Sequence, residues 1–444
     1  MTNKAPLIAI WIVLSVVLIV RCWAMAALHD GLHQDPDQYR KLAQRLQADR
    51  GFLFESKALS ADGCEVLSGE YIAFRPPLYP WLLSHVVPAH SPNFAIWIGA
   101  IQVVLGLATI GITFAVGRRF GLQRKTASLA ALAVLFDPLL IRQSAEVMTE
   151  TLATFLALSA LWGLAAADRA GVKAAFLTGI LLGGCALCRP TLLLWAILIT
   201  LFLAINDLFK RYAIDRMSGL VVGIVLAMLP WGVRNWMHFK QPVWTTTHGG
   251  YTLYRANNPW YYEHLRASTW GTVWATDAFD SHWYSISNRT RGYDFTWLEL
   301  ENDRIAYSAA SSAIVEDPGI FAYASLVRLT RLYGMLPWQI DPNEAWRTRW
   351  LRYSIGVFYL VEFALAIAGV VTLGRQLLRP PWVWGALLVL SFTLVHTFYW
   401  TDMRMRAPLV PVIALVAAVG AGRLRTGIAK LRCDSPHRHQ TVCA

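Results

Sequence analysis

Two aspartates, Asp35 and Asp37, flank one proline at the head of a helical pattern in HQDPDQYRKLAQRL. A carboxylate placed there can take a proton from a hydroxyl or an amine as a general base. It can equally cap the helix, because the first turn has unpaired N–H groups and a positive dipole end. Pro36 fixes the backbone between the two, so their side chains should diverge and only one should point inward. A second group is Arg75-Pro76-Pro77. Consecutive prolines hold the chain extended, which fixes a guanidinium that can grip a phosphate with two parallel bonds. The alternative for Arg75 is a snorkelling side chain that meets lipid headgroups.

Further along, AEVMTETL spaces Glu146 and Glu150 four apart, on one face if the segment is helical. A carboxylate near an apolar zone is costly and by default functional. Glu150 is the deeper of the two and is expected to face the interior. The alternative is a solvated pair at a helix mouth. LPWGVRNW supplies Arg234 and Asn235, and the loop after it supplies Tyr251, Tyr254, Asn257, Asn258 and Trp260. These side chains suit carbohydrate contacts and suit any polar loop equally well. YWTDMRMRAP places Arg404 and Arg406 beside Asp402, where an anionic ligand or an ion pair would explain them. Phosphate loops, dinucleotide fingerprints, HExxH and zinc spacings are all missing from the sequence. Cys185 and Cys188 form a CxxC inside an apolar run with no second ligand pair, which argues against a metal or redox role.

The elements that must position these groups are membrane helices. The chain is 56% hydrophobic and 15% charged, whereas soluble domains carry roughly 25% charged residues. Apolar runs long enough to span a bilayer are Leu7–Ala27, Phe94–Gly117, Met148–Ala167, Tyr353–Leu373 and Trp382–Trp400. Shorter runs are Ala127–Ile141, Ala174–Leu187, Thr191–Ile205, Gly219–Val233 and Pro408–Gly422. The expected fold is therefore an all-α polytopic bundle of about ten transmembrane helices. The pair flanking Arg189-Pro190 reads as two crossings or as one re-entrant hairpin. The first run has no clear cleavage site and reads as an uncleaved helix.

Charge sets the orientation. With the N-terminus inside, the short inner loops and termini hold 17 of the 40 basic residues but only four of the 28 acids. The formal charge of +12 then records topology rather than nucleic-acid binding. Two long hydrophilic segments, Leu28–Asn93 and Arg234–Arg352, fall outside. Within the second, the apolar stretch Gly319–Trp338 contains Arg328 and Arg331 and reads as an amphipathic surface helix. The organisation is thus a module over residues 1–233 whose outer loop 28–93 carries the two acids, a large outer loop 234–352, and closing helices with a basic tail over 353–444.

In order, Asp35–Tyr39, Arg75-Pro76-Pro77-Leu78-Tyr79-Pro80, Glu146/Glu150, Arg189-Pro190, Pro230-Trp231 with Arg234-Asn235, and Arg404–Arg406–Pro408 resemble the GT-C glycosyltransferases. The likeness is to the group of bacterial protein O-mannosyltransferases and the lipid A aminoarabinose transferase (glycosyltransferase family 39), from about Leu7 to Gly422. The resemblance implies an acid four positions before a tyrosine as catalytic base, which is Asp35, with Asp37 as the alternate. This chain reads Asp-Pro-Asp where Asp-Glu is common, and that leaves the choice open. It also implies Arg75 on the lipid phosphate, supported by Arg404 and Arg406. Its substrates would be a polyprenyl-phosphate-linked sugar and a lipid, glycan or protein acceptor, used at the outer face of a bacterial inner membrane among membrane lipids. Some relatives use a divalent metal, Mg or Mn, for which Asp35, Asp37 and Glu150 are candidate ligands. The rival readings are a lipid-linked glycan flippase or transporter and a surface-polysaccharide ligase. A transporter would concentrate its polar residues at mid-membrane, whereas this chain places most of them in the outer loops.

Overall fold

A computed structural model describes residues 15, 19, 21–23, 26–28, 30–59, 66–88, 91, 93–207, 211–287, 295–339 and 343–433. Most of the expected first span, together with Cys64 and Cys443, lies outside the described residues. The chain is a multi-pass helical membrane protein. Among the described residues, five helices are long and apolar enough to cross a membrane: Phe94–Arg119, Gly171–Cys188, Asp215–Phe239, Trp346–Leu378 and Met403–Leu424. Three shorter apolar helices cover Glu150–Ala166, Thr191–Ile205 and Trp382–Phe398.

The first outer segment folds as α1 (Tyr39–Gln47), a hairpin of β1 (Phe54–Leu59) with β2 (Val66–Tyr71), and α2 (Leu78–Val86). The strands run antiparallel with Phe54 opposite Tyr71. Sequence patterning did not anticipate this hairpin. Then follow α3 (Phe94–Arg119), α4 (Arg124–Phe136), α5 (Pro138–Gln143), α6 (Glu150–Cys188), α7 (Thr191–Asp207) and α8 (Arg211–Phe239). The expected span Ala127–Ile141 is broken. Asp137 leaves the helix and its carboxylate accepts from the Leu140 amide at 2.8 Å, while Pro138 opens α5.

Helix α6 kinks at Gly171, where φ is 75°, a backbone state that excludes most side chains. Its two limbs therefore bring Glu150 and Arg189 back to the same end of the bundle. A two-residue corner, Arg189-Pro190, separates α6 from α7, so a helix stands on each side of it, as two crossings and a re-entrant hairpin both require. Helices α6 and α8 share the most extensive contact in the bundle. A Cβ at Gly179 would lie 2.1 Å from the Leu220 carbonyl oxygen, so a glycine is required for that approach.

The second outer segment contains α9 (Gly249–Ala256), α10 (Pro259–Ala267), α11 (Asp277–Ser287), α12 (Phe295–Glu316) and α13 (Pro318–Leu332). Tyr254, Tyr261, Tyr262, Trp274 and Phe279 give it a core of its own. Glu299 fastens it to the first segment by accepting from the Ile72 amide at 2.5 Å, the Ala73 amide at 2.9 Å and the Thr247 hydroxyl. The chain closes with α14 (Trp346–Leu373), α15 (Trp382–Phe398), a 3-10 turn Met403–Leu409 and α16 (Val410–Cys433). The expected surface helix 319–338 is corrected in two respects. It ends at Leu332, and Arg328 is fully buried, donating to the carbonyls of Thr397 and Ala256 at 2.7 Å each. Burial inside the protein, not a lipid surface, accounts for that arginine.

Candidate active site

A cavity of about 970 Å³ lies where both ends of α6, the start of α7 and the end of α15 meet the two long segments between the membrane helices. Its wall divides the expected site residues into two sets. Asp37, Arg75, Glu150 and Arg404 line it.

Asp37 follows Pro36, and its carboxylate accepts from Arg75 at 2.7 Å. Arg75 is held in turn between the rings of Phe54 and Phe74, at 5.3 and 5.2 Å from their centroids. The β1 strand and the segment after β2 thus set the position of the guanidinium. Asp35 has the other role. Its two oxygens accept the amides of Arg40 at 3.2 Å and Lys41 at 3.0 Å, which satisfies the head of α1. Burial raises the Asp35 carboxyl above its usual range, and the two backbone bonds pull it back.

Glu150 opens α6, and Arg189 follows the end of the same helix. Their charged groups are 3.0 Å apart, with side-chain exposures of 2% and 11%. Arg404 lies 3.8 Å from Glu150 and 3.2 Å from Asp402. Three guanidiniums and three carboxylates therefore line the cavity in paired contacts. Arg189 had no assigned role from sequence beyond its place in the family pattern. The signal was available, because a lone arginine between two apolar helices needs a partner or a ligand.

The cavity is also lined by buried polar atoms that have no protein partner: Arg75 Nε, Glu150 Oε2, Thr191 Oγ1, His248 Nδ1, Arg255 Nε and His396 Nε2. Unpaired buried polar groups are costly, and their concentration around this cavity marks a surface shaped for a polar ligand. Aromatic side chains that also line the cavity include Tyr251, Trp283, Tyr307, Tyr399 and Trp400. Burial pushes the Asp303 carboxyl, also on the wall, up to about 6.

The remaining expected residues are elsewhere. Glu146 is not on the helix of Glu150, because α6 begins only at Glu150. Glu146 instead accepts from Arg142 and Gln143 at 3.0 Å each. Arg406 is fully buried, donates to the Leu332 and Gly334 carbonyls and lies 4.1 Å from the Tyr359 ring centroid. Arg234 donates to the Ile72 and Phe52 carbonyls at 2.9 and 2.8 Å and to Asn235 at 2.9 Å, which ties α8 to the first segment. Asn235 itself is buried and donates to the Val243 carbonyl at 2.9 Å. Asn257 donates to the Leu253 and Phe398 carbonyls, and Asn258 caps α10 by accepting the Tyr261 amide at 2.8 Å. Tyr254 packs against Phe279. Tyr251 and Arg255, four apart on α9, line the cavity, whereas Tyr254 is turned into the core of the segment.

The residues present do not compose a metal site. Among the described residues no three His, Cys, Asp or Glu side chains gather around one point. Asp35 is turned to backbone amides, and Asp37 and Glu150 each face a guanidinium.

Residues 74–233 match the family model described as dolichyl-phosphate-mannose-protein mannosyltransferase. That region contains Arg75, Glu150 and Arg189. No curated protein matches the chain. Among solved structures, the Archaeoglobus fulgidus oligosaccharyltransferase in its apo form aligns at 13% identity and a TM-score of 0.52, over 95% of this chain and 51% of its own. The same enzyme, AglB, with an inhibitory peptide and a dolichol-phosphate gives 13% identity and a TM-score of 0.53 over the same shares. The chain therefore spans about half the length of that structure. ArnT from Cupriavidus metallidurans, bound to undecaprenyl phosphate, aligns at 16% identity over 94% of this chain and 79% of its own, with a TM-score of 0.38.

Proposed function

We propose that the chain is a GT-C glycosyltransferase whose cavity transfers a sugar from a polyprenyl-phosphate carrier to a lipid, glycan or protein acceptor, a reading supported by the family model over residues 74–233 and by the shared fold. The observation that carries this reading is the placement of Asp37 beside Arg75, with Arg189 and Arg404 on the same cavity at the outer ends of the membrane helices. A lipid phosphate can reach that level from the bilayer without leaving the membrane surface. The archaeal enzyme of the same fold binds a dolichol-phosphate, which agrees with this assignment.

In the proposed step an acceptor hydroxyl or amine attacks the anomeric carbon. The bond from that carbon to the phosphate oxygen breaks, and its electron pair leaves with the polyprenyl phosphate. Arg75, Arg189 and Arg404 stabilise the growing phosphate charge. The phosphate competes with Asp37 for Arg75, so donor binding frees the carboxylate to accept the acceptor's proton. Attack from the face opposite the leaving phosphate inverts the anomeric centre. A divalent metal has no evident ligand set among these residues, and the step uses only side chains. The positive-inside pattern supports a cavity that opens at the outer face of the membrane, in this reading the periplasmic face of a bacterial inner membrane. Transfer of radiolabelled sugar from an undecaprenyl-phosphate donor, by protein in which Arg75 is intact or replaced, tests the reading.

A further inference from the structure

Of the arginines that line the cavity, Arg75, Arg189 and Arg404 each face a carboxylate, at 2.7, 3.0 and 3.2 Å. Arg255 has no carboxylate partner among the described residues. One of its terminal nitrogens donates to the Tyr251 hydroxyl at a long 3.4 Å, and its Nε is buried without a partner. Its guanidinium carbon lies 5.2 Å from the Trp400 ring centroid. A cation at that distance from the ring is held by it, and its terminal nitrogens keep donors that an anionic group can use. Trp283 packs on Tyr251 with centroids 5.6 Å apart, so apolar ring faces stand beside the free cation. Between Arg255 and Arg75 is His248. Burial first, and then the charges of Arg75 and Arg255, hold its imidazole well below the usual range. The group between the two cations is therefore neutral and leaves the charge of Arg255 uncompensated.

We propose that Arg255 forms a second anion subsite, which takes an acidic saccharide: a sugar ring stacked among Tyr251, Trp283 and Trp400 whose carboxylate or phosphate substituent pairs with the guanidinium. The subsite rests on the glycosyl-transfer reading of the cavity and names the chemical class of one of its sugars. A half-buried guanidinium without a partner carries a desolvation cost that an anionic substituent offsets. A neutral sugar would leave that cost in place.

The test uses the full-length protein in detergent, preloaded with undecaprenyl phosphate, with binding of D-glucuronate, glucose 6-phosphate and D-glucose followed by saturation-transfer NMR. At least one acidic sugar should bind roughly tenfold more tightly than glucose, and whichever of the two binds better identifies the substituent as carboxylate or phosphate. Arg255→Gln should abolish the preference, and Arg255→Lys should keep part of it. Equal binding of all three sugars by the unaltered protein overturns the subsite, as does a preference that survives in Arg255→Gln. Undecaprenyl phosphate binding is measured in the same samples with Arg75→Ala. Unchanged lipid binding in that variant would count against the transfer reading and leave the subsite standing.

Discussion

The guanidinium of Arg189 lies 3.0 Å from the carboxylate of Glu150, although 39 residues of helix α6 separate the start of that helix from its end. The kink at Gly171 folds the two limbs so that both ends reach the cavity. Removal of one partner of a buried pair leaves an uncompensated charge, which costs about 3–5 kcal/mol. Arg189→Ala and Glu150→Ala should therefore each lower the melting temperature clearly in detergent. The double variant should lose less than the sum of the two, and strict additivity would show that the pair is not coupled.

Arg75 is expected to hold the lipid phosphate, and buried Arg406 is not. Arg75→Ala should weaken undecaprenyl phosphate binding by at least tenfold, and Arg75→Lys should restore part of it because the fork is lost. Arg406→Met should lower the melting temperature and leave lipid affinity in the folded protein within about twofold, since removal of a buried interaction acts on stability. Titration of purified variants with the lipid separates the two residues.

Asp303 supplies a pH signature. Its carboxyl is raised to about 6 in the folded protein by burial, against about 3.9 in an unfolded chain. Between those values the folded form holds a proton that the unfolded form lacks, so stability falls as pH rises through the window. Glu299 titrates in the same range, so the comparison needs a variant. Asp303→Asn keeps an acceptor for the Gly250 amide and removes the titration. Its melting temperature relative to the unaltered protein should rise from pH 4 to pH 7. A constant difference would contradict the raised carboxyl.

Topology is tested by labelling. Asn257 and Asn258 are fully buried, so a cysteine there would report on folding rather than sidedness. Thr269 is exposed in the second long segment, and Gln123 is exposed between α3 and α4. In a cysteine-free background, Thr269→Cys should react with an impermeant maleimide from the outer face. Gln123→Cys should react only after lysis. The reverse pattern would place the cavity on the cytoplasmic side.

Much of this was legible in the sequence because membrane helices advertise themselves by length and charge. Phe94–Gly117, Tyr353–Leu373 and Trp382–Trp400 were expected within a few residues of α3, α14 and α15. The Asp137-Pro138 break was hidden inside an apolar run, although an acid before proline is a cap signature. Asn257-Asn258-Pro259 carried the same kind of signal, the end of one helix and the start of the next, and was read instead as a ligand surface. Arg406 was grouped with Arg404 by proximity, yet residues two apart in a tight turn point different ways. Single-sequence patterning had no means of pairing Glu150 with Arg189, because that contact depends on how a kinked helix folds back.

The central claim is that Asp37, and not Asp35, takes the acceptor's proton. Asp35 spends both oxygens on the amides of α1, whereas Asp37 faces the cavity beside Arg75. Asparagine keeps one of the two acceptors, so Asp35→Asn removes the charge and one backbone bond, which costs stability of about 1 kcal/mol rather than turnover. The decisive measurement is the rate of radiolabelled sugar transfer from an undecaprenyl-phosphate donor by Asp35→Asn and Asp37→Asn, each purified with normal melting behaviour. Asp37→Asn should be slower by about 10²–10⁴, the usual loss of a general base. Asp35→Asn should stay within about tenfold of the unaltered enzyme, as a residue that acts through helix capping would. Near-normal turnover in Asp37→Asn would contradict the account, and so would a collapse confined to Asp35→Asn.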